Sequence, residues 1–138
     1  MHDIVAREHS TMRSLERALH LLAIMEDFGW PMTVTEIGRA SQLSKATALR
    51  LLAVLEKYGL AEKRQGRYRL GVAVLPLAYS YVLHNELGQM ALPVMQELAQ
   101  ASGETISLFI RIGFQRVSIQ RVEGAHPLRH SSPSIGQR

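Results

Sequence analysis

Residues 43–60, LSKATALRLLAVLEKYGL, decide the fold. Ser44 has the short oxygen-bearing side chain that caps a helix, and Gly59 suits a left-handed stop. The spacing between them predicts a helix from Lys45 to about Tyr58. At about 100° per residue, Ala48, Leu51, Leu52, Leu55 and Tyr58 share one side. Ala46, Leu49, Arg50, Ala53 and Lys57 share the other. The second face is small and basic near its start, so the helix can lie close against a groove, with Arg50 reaching past Ala46. Upstream, Thr33 and Glu36 stand in capping-box spacing and predict a short helix over Val34 to Ala40, with Val34, Ile37 and Ala40 inward. Ser41-Gln42 turn the chain and Leu43 plugs the core. Short helix, tight turn and longer capped helix is the order of a helix-turn-helix.

Downstream, LAEKRQGRYRLG folds back on itself. Leu60–Lys63 and Arg67–Leu70 are expected to pair around Arg64-Gln65-Gly66, with Gly66 supplying a positive φ. The hairpin carries Lys63, Arg64, Arg67 and Arg69 at or near its tip, which makes it a basic wing suited to phosphates or a minor groove. Tyr68 is expected in the core. Upstream, Ser14 is expected to cap a first helix ending near Phe28, because Gly29 and Pro31 follow. Leu15, Ala18, Leu19, Leu22 and Met25 would form its apolar face, with Trp30 a packed lid. Residues 1–13 are polar and read as a disordered tail.

The charge is concentrated where this fold would use it. From Gly38 to Leu70 there are eight basic residues against two acidic ones, while the whole chain of 138 residues is only +4. Such clustering is the footprint of a polyanion partner. After Gly71 the character changes. VAVLPLAYSYVLHN has no basic residue, and a helix from about Leu75 to His84 is apolar on most sides. A second copy of the chain is the expected cover. A helix from Glu86 to about Ala101, kinked or restarted at Pro93, would carry Leu87, Met90, Ala91, Val94, Met95 and Leu98. Strands over Thr105–Ile112 and Val117–Val122 would join at Gly113-Phe114-Gln115-Arg116.

The segments SLERALHLL, TVTEIGRA, LSKATALRLLAVLEKYGL and GRYRLG, in that order, resemble the DNA-binding domain of IclR-type (isocitrate lyase regulator) transcription regulators. The likeness continues through LPLAYSYVL, LPVMQELAQASGETISL and VSIQRVEGAHPLR, and covers about Ser14 to Gly136. It implies a mainly α chain with α+β parts: a winged helix-turn-helix over 14–71, a linker and dimerisation helix over 72–85, and the first part of an α/β (GAF-like) effector domain over 86–138. Carried onto matching positions, it makes Ser44, Lys45, Ala46, Thr47 and Arg50 the major-groove surface. Thr33 and Thr35 would touch phosphate, although capping alone accounts for Thr33. Arg64 and Arg67 would position the wing. Dimerisation would use Leu75, Leu77, Ala78, Tyr81 and Val82.

Two departures stand out. Ser41-Gln42 replace the usual turn glycine, and the effector domain of relatives continues well past the point matching Ile135-Gly136. The expectation is a shortened regulator that binds double-stranded operator DNA as a homodimer or higher oligomer, with little effector control. The alternatives are a fragment that forms mixed dimers with a full-length relative, and a non-functional remnant.

Other classes find little support. There is no cysteine, and His126 and His130 are separated by Pro127 with no third ligand near, so no metal or cofactor is implied. No nucleophile elbow or phosphate loop is present, which argues against an enzyme. The absence of a long apolar run and of a signal peptide points to a cytoplasmic protein without a membrane partner.

Overall fold

The computed structural model describes residues 2–125 and 134–136, with side chains from Met12 onward. The chain divides into two compact units, residues 1–77 and 78–138. Among the described residues no helix is long and apolar enough to cross a membrane.

The first unit begins with α1 (His2–Phe28). Residues 2–13 were expected as a tail, but they form the first turns of this helix, and Ser14 lies inside it rather than capping it. No glycine or proline interrupts the sequence before Gly29, so nothing local stops the helix. Gly29 ends it with φ +66°. The inward face is also corrected. Leu21, Ile24 and Met25 are buried, whereas Leu15 and Leu19 are exposed. Trp30 is no lid: it is 60% exposed and packs edge-to-face on Phe28, ring centroids 5.4 Å apart.

A two-residue strand, β1 (Met32–Thr33), leads into α2 (Val34–Ser41). The expected capping box is present, with Thr33 Oγ1 accepting from Glu36 N and Glu36 Oε2 accepting from Thr33 N. Ile37 is fully buried, but Ala40 faces solvent. Gln42 takes the left-handed conformation (φ 57°, ψ 29°) that the missing glycine would have taken. Its N–H donates to Arg39 O, and Leu43 N–H donates to Gly38 O at 3.0 Å, closing the turn. Helix α3 (Lys45–Lys57) follows, capped by Ser44, whose Oγ accepts from Thr47 N. Ala48, Leu52 and Leu55 are buried as expected; Tyr58 is exposed, because the chain has already left helical geometry there.

Strands β2 (Ala61–Arg64) and β3 (Arg67–Leu70) form the wing, with β1 on the other side of β3, all antiparallel in the order β1-β3-β2. The loop is the two residues Gln65 (φ 49°) and Gly66 (φ 77°), both left-handed as a type I′ turn requires. At the wing's base, Gly71 N–H donates to Leu60 O, and a Cβ on Gly71 would lie 2.1 Å from Gly59 O. Only glycine fits there. The core gathers Leu21, Ile24, Met25, Met32, Ile37, Leu52, Leu55, Ala61 and Tyr68 from all six elements. At about 1.5–3 kcal/mol for each large side chain, this burial is what holds the three helices to the sheet.

Helix α4 (Val74–Leu83) spans the division between the units, and none of its residues is buried. In the second unit, α5 (Glu86–Ser102) is capped by Asn85, whose side chain accepts from Gly88 N, and ends at Gly103 in the left-handed region. It runs as one helix through Pro93 rather than restarting. Met95 and Ala99 face inward, while Leu87, Met90, Val94 and Leu98 are exposed. Helix α5 packs on β4 (Ile106–Ile112) and β5 (Gln115–Val122), an antiparallel pair with an irregularity at Leu108/Phe109. The loop is two residues, Gly113-Phe114, not four, because Gly113 supplies a positive φ of 61°.

Candidate nucleic-acid interface

The face of α3 that the spacing turned outward is exposed at every position: Ala46, Leu49, Arg50, Ala53 and Lys57. The buried stripe of Ala48, Leu52 and Leu55 fixes the helix against the core, so the opposite stripe must stand proud. Ser44, Lys45 and Ala46 are exposed at its N-terminal end. Thr47 is half-buried, and its Oγ1 accepts from Ser44 Oγ at 2.9 Å. No carboxylate lies within 4 Å of Lys45 or Arg50 among the described residues, so neither charge is neutralised internally.

At the start of α2, Thr33 is committed to its cap: its hydroxyl donates to Glu36 Oε2 at 2.8 Å. Thr35 is exposed. Hydrogen bonds from Thr33, backbone first and then hydroxyl, hold the Glu36 carboxyl below its ordinary value. Burial opposes these bonds less strongly, and the charges of Arg67 and then Arg39 add still smaller lowering effects.

That carboxylate reaches the wing. Arg67 Nη1 donates to Pro31 O at 3.1 Å and lies 3.5 Å from Glu36 Oε2. It therefore ties β3 to the entrance of α2. A guanidinium has five N–H donors, and half of this side chain remains exposed, so a second partner can be accommodated. On the same face, Glu62 pairs with Arg69 directly across the strands and lies 3.8 Å from Arg64. Arg64 and Arg67 face each other on the last rung, a like-charge pairing that is unfavourable without an anion between them. On the opposite face Tyr68 is buried, as expected, beneath the ammonium of Lys63 at 5.3 Å. One cation escaped the sequence reading except in the charge total. Arg39 is exposed in the last turn of α2 and lines a cleft of about 310 Å³ with Thr35 and Lys45. Its spacing from Thr35, four residues along one helix, was the available signal.

Three exposed basic groups of residues, at the start of α3, the end of α2 and the wing tip, thus surround a helix held outward by its own core. Residues 14–65 match the IclR helix-turn-helix domain. The chain carries an IclR helix-turn-helix domain. It is 30% identical over 115 residues to the HTH-type transcriptional regulator XynR of Escherichia coli K12, covering 82% of this chain and 46% of that relative. It is 29% identical over 128 residues to the HTH-type transcriptional repressor AllR of the same organism, covering 91% and 47%. The crystal structure of an IclR family regulator from Brucella abortus superposes with a TM-score of 0.79 at 25% identity, covering 91% of this chain and 47% of that one. The chain therefore spans about half the length of the curated IclR relatives it matches. The resemblance extends beyond the helix-turn-helix domain into α4, α5 and the β4–β5 hairpin.

The five apolar positions expected to dimerise, Leu75, Leu77, Ala78, Tyr81 and Val82, are all exposed along α4. His126 and His130 lie outside the described residues. Among the described residues no cluster of three or more His, Asp or Glu could hold a metal ion.

Proposed function

We propose that this chain is a sequence-specific DNA-binding regulator that engages operator DNA as a dimer. The carrying observation is the exposed, small and unneutralised basic face of α3 in a domain that matches the IclR helix-turn-helix. In this reading α3 enters the major groove. Ser44, Lys45, Ala46 and Thr47 lie along its entry, and Arg50 reads a guanine edge through paired donors. Thr35 contacts a flanking phosphate through its hydroxyl, and Thr33 supports that contact by fixing the start of α2. Arg64 and Arg67 take the backbone beside the groove, where a phosphate relieves their mutual repulsion. Residues 14–71 carry DNA binding, and 72–85 carry dimerisation through the apolar surface of α4. Residues 86–138 begin an effector-binding region. Effector control by this region alone is weak, because its described core is confined to Gly88, Met95, Ala99, Ser118 and Ile119.

The test is equilibrium binding to a duplex recovered by selection from random sequence. Arg50→Ala should lose discrimination at one base position, worth about 1–3 kcal/mol, which is roughly a fivefold to 150-fold weakening. The stoichiometry should be two chains per selected duplex. Undiminished selectivity in the variant, or one chain per site, would overturn the reading.

A further inference from the structure

We propose that Arg39 and Lys45 form a two-cation clamp on a single phosphodiester of the bound duplex, with the adjoining deoxyribose resting over Val34 and Leu43. This rests on the DNA-binding reading and adds a backbone contact at the junction of α2 and α3.

The clamp follows from how the turn closes. Thr35 and Arg39 are one helical turn apart on α2 and project from the same side. Gln42 in its left-handed conformation sends the chain back sharply, and the bond from Leu43 N–H to Gly38 O holds the first turn of α3 against the last turn of α2. The approach is close enough that a Cβ on Gly38 would lie 3.1 Å from Leu43 O. The result is a cleft of about 310 Å³ with Val34 and Leu43 half-buried in its lining and Thr35, Arg39, Gln42 and Lys45 exposed around it.

The charges in this cleft are all of one sign. No carboxylate lines it; Glu36, which feels the charge of Arg39, is hydrogen-bonded by Thr33 and paired with Arg67. Neither Arg39 nor Lys45 forms an ion pair within 4 Å among the described residues. Two cations beside half-buried apolar carbon, with a hydroxyl and a carboxamide alongside, match an anion joined to a sugar. That is the repeating unit of a nucleic-acid backbone. A free small anion would leave the apolar part unused.

The experiment uses the full chain and a random-sequence duplex, and measures how affinity falls with salt. Each phosphate contact contributes about 0.9 to the slope of log affinity against log salt. Arg39→Gln and Lys45→Gln should each make the slope shallower by part of one contact, because the remaining cation still holds the phosphate. The double variant should lose about one contact, not two. Arg39→Lys, which keeps the charge, should restore most of the slope. A double variant that loses about two contacts means two separate phosphates and overturns the clamp, and single variants that leave the slope unchanged overturn it as well. If inorganic phosphate binds the DNA-free chain as tightly as the duplex does, and loses that binding in Arg39→Gln, the cleft is a small-anion site and the clamp fails. Salt-insensitive binding by the unaltered chain would defeat the DNA-binding reading itself, whereas loss confined to the clamp variants' predictions would leave that reading standing.

Discussion

Replacing Gln42 by glycine should stabilise the first unit. Gln42 sits at φ 57°, ψ 29°, where a side chain crowds its own backbone at a cost of about 1–2 kcal/mol. Glycine removes that crowding but gives up about 0.5–1 kcal/mol of extra backbone freedom on folding. The Gln42 side chain is exposed, so little burial is lost, and both backbone hydrogen bonds of the turn survive. The net gain is about 0.5–1 kcal/mol. For a unit of 77 residues, a melting temperature higher by about 2–8 °C follows. The assay is thermal unfolding followed by the fluorescence of Trp30, the chain's one tryptophan, which lies in this unit. Gln42→Val provides the opposing arm: a β-branched side chain is least tolerant of positive φ and should melt lower than the unaltered protein. If the glycine variant melts no higher, or the valine variant melts as high, the turn is not strained and the reasoning is wrong.

Two further outcomes follow from the same unit. Gly71→Ala should be far more damaging than an ordinary surface change, because its new methyl would press into the backbone of Gly59 and Ala61; a broad, early Trp30 melt is expected, and a native-like transition would contradict the close approach. Glu36 has a carboxyl held below its ordinary 4.5, so it contributes stability above that pH and loses the contribution as pH falls through its lower folded value. Acid titration of the melting temperature should therefore be flatter in Glu36→Gln, whose amide can still cap, than in the unaltered chain; identical curves would remove Glu36 from the account.

The helix-turn-helix and wing were legible because their local signals agreed. Thr33 with Glu36, Ser44, and Gly66 each specify a terminus or turn without help from distant residues. Helix α1 was not, since LERALHLLAIM offers two overlapping apolar stripes. Which stripe turns inward is settled by where α2, α3 and β3 lie, and that put Leu21 and Ile24 inside while leaving Leu15 and Leu19 out. On α5 too the inward face depends on distant partners, β4 and β5: Ala99 packs inward and Leu98 does not. At the candidate site, the outward face of α3 could be read from spacing alone. The grip of Arg67 on Pro31 and Glu36, 36 and 31 residues away, could not, because it depends on how β3 pairs with β1. Arg39 was overlooked because a lone arginine on a short helix carries no motif.

The wing's construction also fixes how its reach could change. Its base is locked where Gly71 crosses Gly59, so lengthening can occur only toward the Gln65-Gly66 end. One residue inserted in each strand extends the hairpin by about 3.4 Å but rotates the terminal side chains to the opposite surface. Arg64 and Arg67 keep their present orientation only if residues enter two per strand. Reach along a duplex would therefore be adjustable in increments of about 7 Å, a coarse ruler that an engineer could use to shift which phosphate the arm meets while leaving the rest of the domain untouched.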